Sequence, residues 1–133
     1  MIQFWEKIDL ELINDSGYTV LLDAMYGAGQ NVMRRILPNT ELLHCEANPS
    51  FYGQAPEPIA KNLKELEAFI KNNQGIACGL ATDGDADRIG LYDSKGNFVD
   101  SHHIILLLIH YLVKYKQQTG KVATAFSTTV KIK

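Results

Sequence analysis

The sequence predicts an α/β domain, a three-layer α/β/α sandwich built on a mixed, mostly parallel sheet. Three observations carry this expectation. Apolar residues switch repeatedly along the chain between the two-residue period of a strand and the 3.6-residue period of a helix. The strand-like and helix-like runs alternate, which calls for crossover connections, parallel neighbours and helices on both faces. One connection, the roughly five residues between Thr82 and Arg88, is too short for a parallel crossover, so the strands it joins must run antiparallel.

Element by element, "YTVLLDA" (18–24) is a short run of strand formers closed by the glycine turn "YGAGQ". Residues 28–37, with Val32, Met33, Ile36 and Leu37 apolar, read as a helix ended by Pro38. "TELLHCEA" (40–47) is a second strand, and the Pro- and Gly-dense "NPSFYGQAPEP" (48–58) is a loop. A helix over 58–73 carries Ile59, Leu63, Leu66, Phe69 and Ile70 at helical spacing, with Pro58 in its first turn. "GIACGLAT" (75–82) and "RIGLYD" (88–93) are the third and fourth strands, and "DSKGN" turns the chain into a short "FVD". Residues 101–118 are expected to be a long helix with a buried apolar face, and "KVATAF" (121–126) a last strand.

Composition narrows the function classes. A net charge of −2 with 21% charged residues excludes a polybasic nucleic-acid binder and a disordered acidic tail. The most apolar run, Ile104 to Ile109, is far shorter than the roughly 20 residues of a membrane span, so no membrane partner is expected. The N-terminus lacks a basic region followed by an apolar stretch, so no signal peptide is expected and the location reads as cytoplasmic. Cys45 and Cys78 lie far apart within apolar runs, which favours reduced core thiols over a disulfide. Both ends read as cut: "FWEKIDLELI" starts without an evident cap, and "STTVKIK" stops as a new pattern begins.

The chemistry concentrates in "LATDGDADRIG" (80–90), where Asp83, Asp85 and Asp87 crowd three like charges into five residues. Such crowding opposes folding unless something positive sits among them. A solvated acidic turn is the plain reading, since Asp-Gly is a common hairpin signal. Yet the loop follows the carboxyl end of a buried strand, where open α/β sheets place their sites. Three carboxylates on one tight loop suit a hard divalent cation, Mg²⁺ first among them. An EF-hand is ruled out: counting from Asp83, its sixth and twelfth positions hold Arg88 and Ser94 instead of Gly and Glu. An aspartyl-phosphate phosphatase is disfavoured, because its DxD follows the first strand and this loop follows the third. Arg88 adds a planar fork of donors suited to phosphate, and the lesser alternative is that it merely pairs with a neighbouring carboxylate. Metal plus arginine suggests phosphoryl transfer.

"GLATDGDADRIGLYDSKGNFV" resembles the metal-binding loop and following hairpin of the α-D-phosphohexomutases, the phosphoglucomutase/phosphomannomutase family. "VLLDAMYGAGQ" and "NPSFYGQAPEPIAKNLKEL" resemble two further segments of that family's second domain. The resemblance implies a linking helix over 1–16, the α/β/α second domain over 17–126, and the start of the next domain over 127–133. It implies an enzyme that moves a phosphoryl group within a hexose phosphate, through a phosphoserine of its first domain and a bisphosphate intermediate. Carried over, Asp83, Asp85 and Asp87 match the Mg²⁺ ligands, and Arg88 matches the catalytic arginine that contacts the phosphoryl group or substrate. Gly84 lets the backbone approach the metal closely. The family's serine loop, similar to T-A-S-H-N-P, is missing: none of Ser16, Ser50, Ser94, Ser101 or Ser127 is followed by His-Asn-Pro. The implied partners are a hexose phosphate and neighbouring domains of the same chain, and these residues alone are expected to be inactive. The competing class is a stand-alone, non-catalytic metal- or phosphate-binding module.

Other candidates weigh less. "GAGQ" lacks both the dinucleotide spacing and the P-loop lysine, so it reads as a structural turn. Arg34 and Arg35 read as solvated. His102 and His103 are expected to begin the long helix, capped by Asp100 or Ser101, rather than to bind a ligand. His44 and His110 sit among apolar residues and read as partnered core or edge histidines. Phe51, Tyr52 and Pro56 form a loop cluster that packs either locally or on a neighbouring domain.

Overall fold

The computed structural model describes residues 9–124. Helix α1 (Leu10–Asp15) precedes strand β1 (Thr19–Asp23), followed by α2 (Gln30–Ile36) and β2 (Glu41–Leu43). Then come α3 (Lys64–Asn72), β3 (Ile76–Thr82), β4 (Ile89–Asp93), β5 (Phe98–Val99) and α4 (Ser101–His110). The five strands form one sheet in the order β2-β1-β3-β4-β5. Both neighbours of β1 run parallel to it, while β4 is antiparallel to β3 and β5 antiparallel to β4. Four strands therefore share one direction and β4 alone is reversed, as the short β3–β4 connection requires. The α/β class and the mixed, mostly parallel sheet agree with the sequence reading.

The sheet is organised around β1. Leu21, Leu22 and Asp23 on the strand, and Ala24 just after it, are almost wholly buried, the near-continuous apolar run of a strand covered on both faces. Leu21 and Met25 join Leu63, Leu66 and Ile70 from the α3 side, and Ile76, Ala81 and Tyr92 from β3 and β4, in one cluster. Helix α3 sits so close to β3 that a Cβ at Gly79 would lie 2.6 Å from Ile70 Cδ1. This positions the carboxyl ends of β1 and β3 side by side, with Asp23 opposite Ala81.

Several boundaries differ from expectation for identifiable reasons. β2 stops at Leu43 rather than Ala47, because His44 takes a left-handed φ of 49° that ends the extended run. The helix expected from Pro58 begins only at Lys64, and Pro58 lies outside it. Instead, the Asn62 side chain donates to the carbonyls of Ala55 and Glu57, folding 55–62 into a turn that ends in a short 3₁₀ segment, Ala60–Asn62. α1 does have a cap: Asp9 Oδ1 accepts from Leu12 N at 2.9 Å. Residues 1–8 of the expected linking helix lie outside the described residues.

The long helix departs most. α4 runs into a wider, five-residue-spaced turn over Tyr111–Tyr115, with Lys116 N donating to Tyr111 O, and ends at Gln117 with φ 51°. None of its residues is fully buried, and Leu107 and Leu108 are 57% and 54% exposed. The expected buried apolar face is therefore absent among the described residues: the helix is half covered by the sheet and open on its other side. Of the last expected strand, 121–124 are exposed and carry no strand pairing, and 125–126 lie outside the described residues. No helix among the described residues is long and apolar enough to cross a membrane.

Tyr92 offers a test of the core. Its ring is fully buried edge-on against Phe98, yet its hydroxyl has no hydrogen-bond partner among the described residues. Burial of an unpaired hydroxyl is costly, so Tyr92→Phe should leave stability unchanged or raise it by about 1 kcal/mol in chemical denaturation. A clear loss of stability would overturn the reading of that hydroxyl as unpaired.

Candidate metal centre

The aspartate loop hangs between β3 and β4 and is closed at its base by Asp83 N donating to Arg88 O at 3.3 Å. Asp83 is the first residue beyond β3 and is wholly buried. Its Oδ1 accepts the backbone N–H groups of Asp87 at 2.9 Å and Arg88 at 3.0 Å, and its Oδ2 accepts from Arg88 Nε. The carboxylate thus templates the loop around itself. A carboxylate offers about four lone-pair sites, and three are used here, leaving one for a further partner. Asp85 and Asp87 are exposed at the rim, with Ala86 between them in the left-handed region at φ 63°. One oxygen from each of Asp83, Asp85 and Asp87 lies within 4.8 Å of the other two.

The electrostatics differ sharply between these carboxylates. Burial pushes Asp83 up, but the backbone and side-chain hydrogen bonds of Arg88, and its charge, outweigh that and hold the carboxyl below its usual range. Asp87 moves the other way: the charges of Asp85 and Asp83 raise it above the ordinary carboxylate value. Arg88 answers only part of this repulsion. Its Nε lies 3.7 Å from Asp87 and its Nη1 4.0 Å from Glu57, and its own basicity is raised first by the hydrogen bond to Asp83. The donor set, all carboxylate oxygen with uncompensated negative charge, fits a hard divalent cation. Asp83, Asp85 and Asp87 are the residues that would hold such an ion, each offering one carboxylate oxygen.

Two other segments brace the loop. The "GAGQ" turn lies directly against it: Ala28 N donates to Gly84 O at 3.0 Å, and a Cβ at Gly27 would fall 2.6 Å from Asp83 O. Any side chain at 27 would meet backbone, so this glycine is fixed by close approach rather than by phosphate binding. From the other side, Phe51 and Pro56 pack on Gly84, and Tyr52 meets Tyr26 edge-on at 5.0 Å. Phe51 and Pro56 therefore pack locally, whereas Tyr52 stays 72% exposed.

The remaining candidates are accounted for structurally. Asp100 caps α4, accepting from His103 N and lying 2.9 Å from His103 Nδ1, so His102 and His103 begin the helix. Arg34 and Arg35 are exposed in the last turn of α2. His110, expected as a partnered core or edge histidine, is instead exposed and meets Tyr115 edge-on, whereas His44 is partnered by Asp23 and Glu65. That last cluster is not visible as a spacing, since its members stand 21 residues apart. Cys45 and Cys78 are free, half-buried thiols whose ionisation burial disfavours.

Residues 1–96 match the family described as phosphoglucomutase/phosphomannomutase, alpha/beta/alpha domain II. A "Probable phosphoglucosamine mutase" of Pyrococcus furiosus is 37% identical over 123 residues, covering 90% of this chain and 26% of the relative. A phosphopentomutase of Thermococcus kodakarensis is 30% identical over 123 residues, covering 90% of the chain and 27% of that relative. A solved structure from Thermus thermophilus, assigned as a phosphomannomutase, superposes with a TM-score of 0.81 at 29% identity, over 94% of this chain and 30% of that one. The chain thus spans about a quarter of the length of the curated relatives it matches.

The opposed shifts of Asp87 and Asp83 generate a prediction for the metal-free protein. Asp87 has a raised folded value, so the native state holds its proton more tightly, and its contribution to stability falls as pH rises through that value. Asp83 has a lowered folded value, so it contributes stability above the ordinary carboxylate value, lost as pH falls. At neutral pH, Asp87→Asn should therefore raise the melting temperature without Mg²⁺, whereas Asp83→Asn should lower it. Thermal melts in chelator and in Mg²⁺ check this; the gain in Asp87→Asn should shrink or reverse when Mg²⁺ is added.

Proposed function

Because the chain belongs to the phosphoglucomutase/phosphomannomutase family, as its α/β/α domain II, we propose that its aspartate loop is the Mg²⁺ cradle of a phosphohexomutase. The observation that carries this reading is the convergence of three carboxylates on one loop at the carboxyl end of β3, with too little positive charge to neutralise them. Asp83, Asp85 and Asp87 would hold the ion. When bound, Mg²⁺ would neutralise charge on a transferring phosphoryl group.

The chain's own residues divide the remaining work. Asp83 fixes the loop, committing its hydrogen bonds to two backbone N–H groups and to Arg88, and so holds the carboxylates together before any ion arrives. Arg88 uses one of its five N–H donors on Asp83 and keeps a side chain that is 60% exposed. Anchored at Nε, the guanidinium is oriented rather than freely rotating, and its outer donors can receive the oxygens of a phosphoryl group or of the substrate's phosphate. The substrate class is a hexose phosphate, converted between its 1- and 6-phosphates.

The reaction also needs a phosphoserine and a sugar-binding surface, neither of which the sequence carries in a recognisable motif. Those parts belong to other domains of a longer chain. The match to domain II ends at residue 96, and α4, just beyond it, has no buried residue. We therefore read α4 as the connection to a following domain.

Two experiments test the reading. In the full-length enzyme, Asp85→Asn should lower mutase activity by about 100-fold or more, the scale expected for loss of charge stabilisation at a phosphoryl transfer, with an unchanged circular dichroism spectrum. Retained activity would sink the metal assignment. The 133-residue chain alone should convert no glucose 1-phosphate in a coupled assay, and measurable turnover would show that the nucleophile lies within it.

A further inference from the structure

A second network stands behind the metal loop, assembled from residues that the reaction does not use. Asp23, at the end of β1, is 1% exposed. Its carboxylate lies 3.0 Å from His44 Nδ1 through both oxygens, and its Oδ1 also accepts from Met25 N at 2.8 Å. His44 acts a second time through its backbone, accepting from Tyr26 N at 2.8 Å. Between them these two residues pin Met25 and Tyr26, which take consecutive left-handed conformations at φ 45° and 62°. Non-glycine residues hold such geometry only where their surroundings over-determine it. The segment so pinned leads straight into Gly27 and Ala28, which abut Asp83 and Gly84.

We propose that the Asp23–His44 pair is a positioning element for the metal loop, fixing the 24–28 turn as the floor on which Asp83 and Gly84 rest. The proposal builds on the reading of that loop as a Mg²⁺ cradle. Neither residue touches the ion or substrate; each acts through the turn. The active contact is His44 Nδ1 on Asp23, because the buried Asp23 would otherwise keep only the Met25 N–H as partner. The other ring nitrogen, Nε2, meets Glu65 at 3.1 Å, but the Glu65 side chain is 75% exposed, so that contact contributes little.

The test uses the full-length enzyme and Mn²⁺ as the probe, its binding followed by water-proton relaxation, with thermal melts alongside. His44→Ala, which removes the donor, should weaken Mn²⁺ binding by about tenfold or more. His44→Asn should bind within about threefold of wild type, because its amide nitrogen can stand in for Nδ1 and asparagine tolerates the left-handed backbone. Glu65→Gln should bind as wild type does. If His44→Ala fails to fold, His44→Gln takes its place: its amide reaches toward Nε2 rather than Nδ1, and it should show the loss that His44→Asn does not. The proposal is overturned if the donor-lacking variants bind Mn²⁺ as tightly as wild type, or if His44→Asn weakens as much as they do. Wild-type enzyme that takes up no Mn²⁺, or an Asp85→Asn variant that takes it up unchanged, would instead refute the metal reading itself.

Discussion

One buried carboxylate organises the functional end of this domain. Asp83 sits where β3 ends, sealed from solvent, and survives there as an ion because two backbone N–H groups and the Arg88 guanidinium reach it. A charge so placed is tolerable only while all these partners stay in place, so the loop's shape and the charge's survival are one condition. Everything at the rim follows from it. Asp85 and Asp87 are brought beside a carboxylate that cannot move away, and the repulsion among them is held in the fold rather than relaxed by it. A site of this kind trades stability without its ion for readiness to take one up.

The sheet's topology explains why so few residues suffice. A central parallel strand, β1, and its neighbour β3 end level with each other, so the segments leaving them are thrown together. The turn after β1 has glycine where a side chain would strike the loop's backbone, and the loop after β3 places its carbonyl there. The reversal of β4 closes the loop within about five residues, which is what makes its alternate side chains converge. Packing of Phe51 and Pro56 on Gly84 presses the loop from the other side.

The legible and illegible parts of the sequence divide along a physical line. The Asp83–Arg88 loop could be read because its chemistry lies in consecutive residues, and the antiparallel β3–β4 pair because loop length alone decided it. The end of β2 could not, because the left-handed turn at His44 depends on a carboxylate 21 residues away that no local pattern registers. The helix expected at Pro58 was displaced by the side chain of Asn62, which bonds to upstream carbonyls and turns 55–62 away from helix. The apolar run Ile104–Ile109 marked a helix, but composition carries no information on whether anything covers it. That Arg88 pairs with a neighbouring carboxylate was a legible alternative, but which one, Asp83, needed the third dimension.

The face of α4 left open among the described residues bears on how this domain behaves as matter in a tube. Leu107, Leu108, Tyr111, Leu112, Val113 and Tyr115 each present a large part of their surface to water along one helix and the turn that extends it. Contiguous apolar surface of this kind drives self-association, and a net charge of only −2 supplies little repulsion to oppose it. With that surface open among the described residues, protein concentration joins temperature and metal as a variable of the solution state.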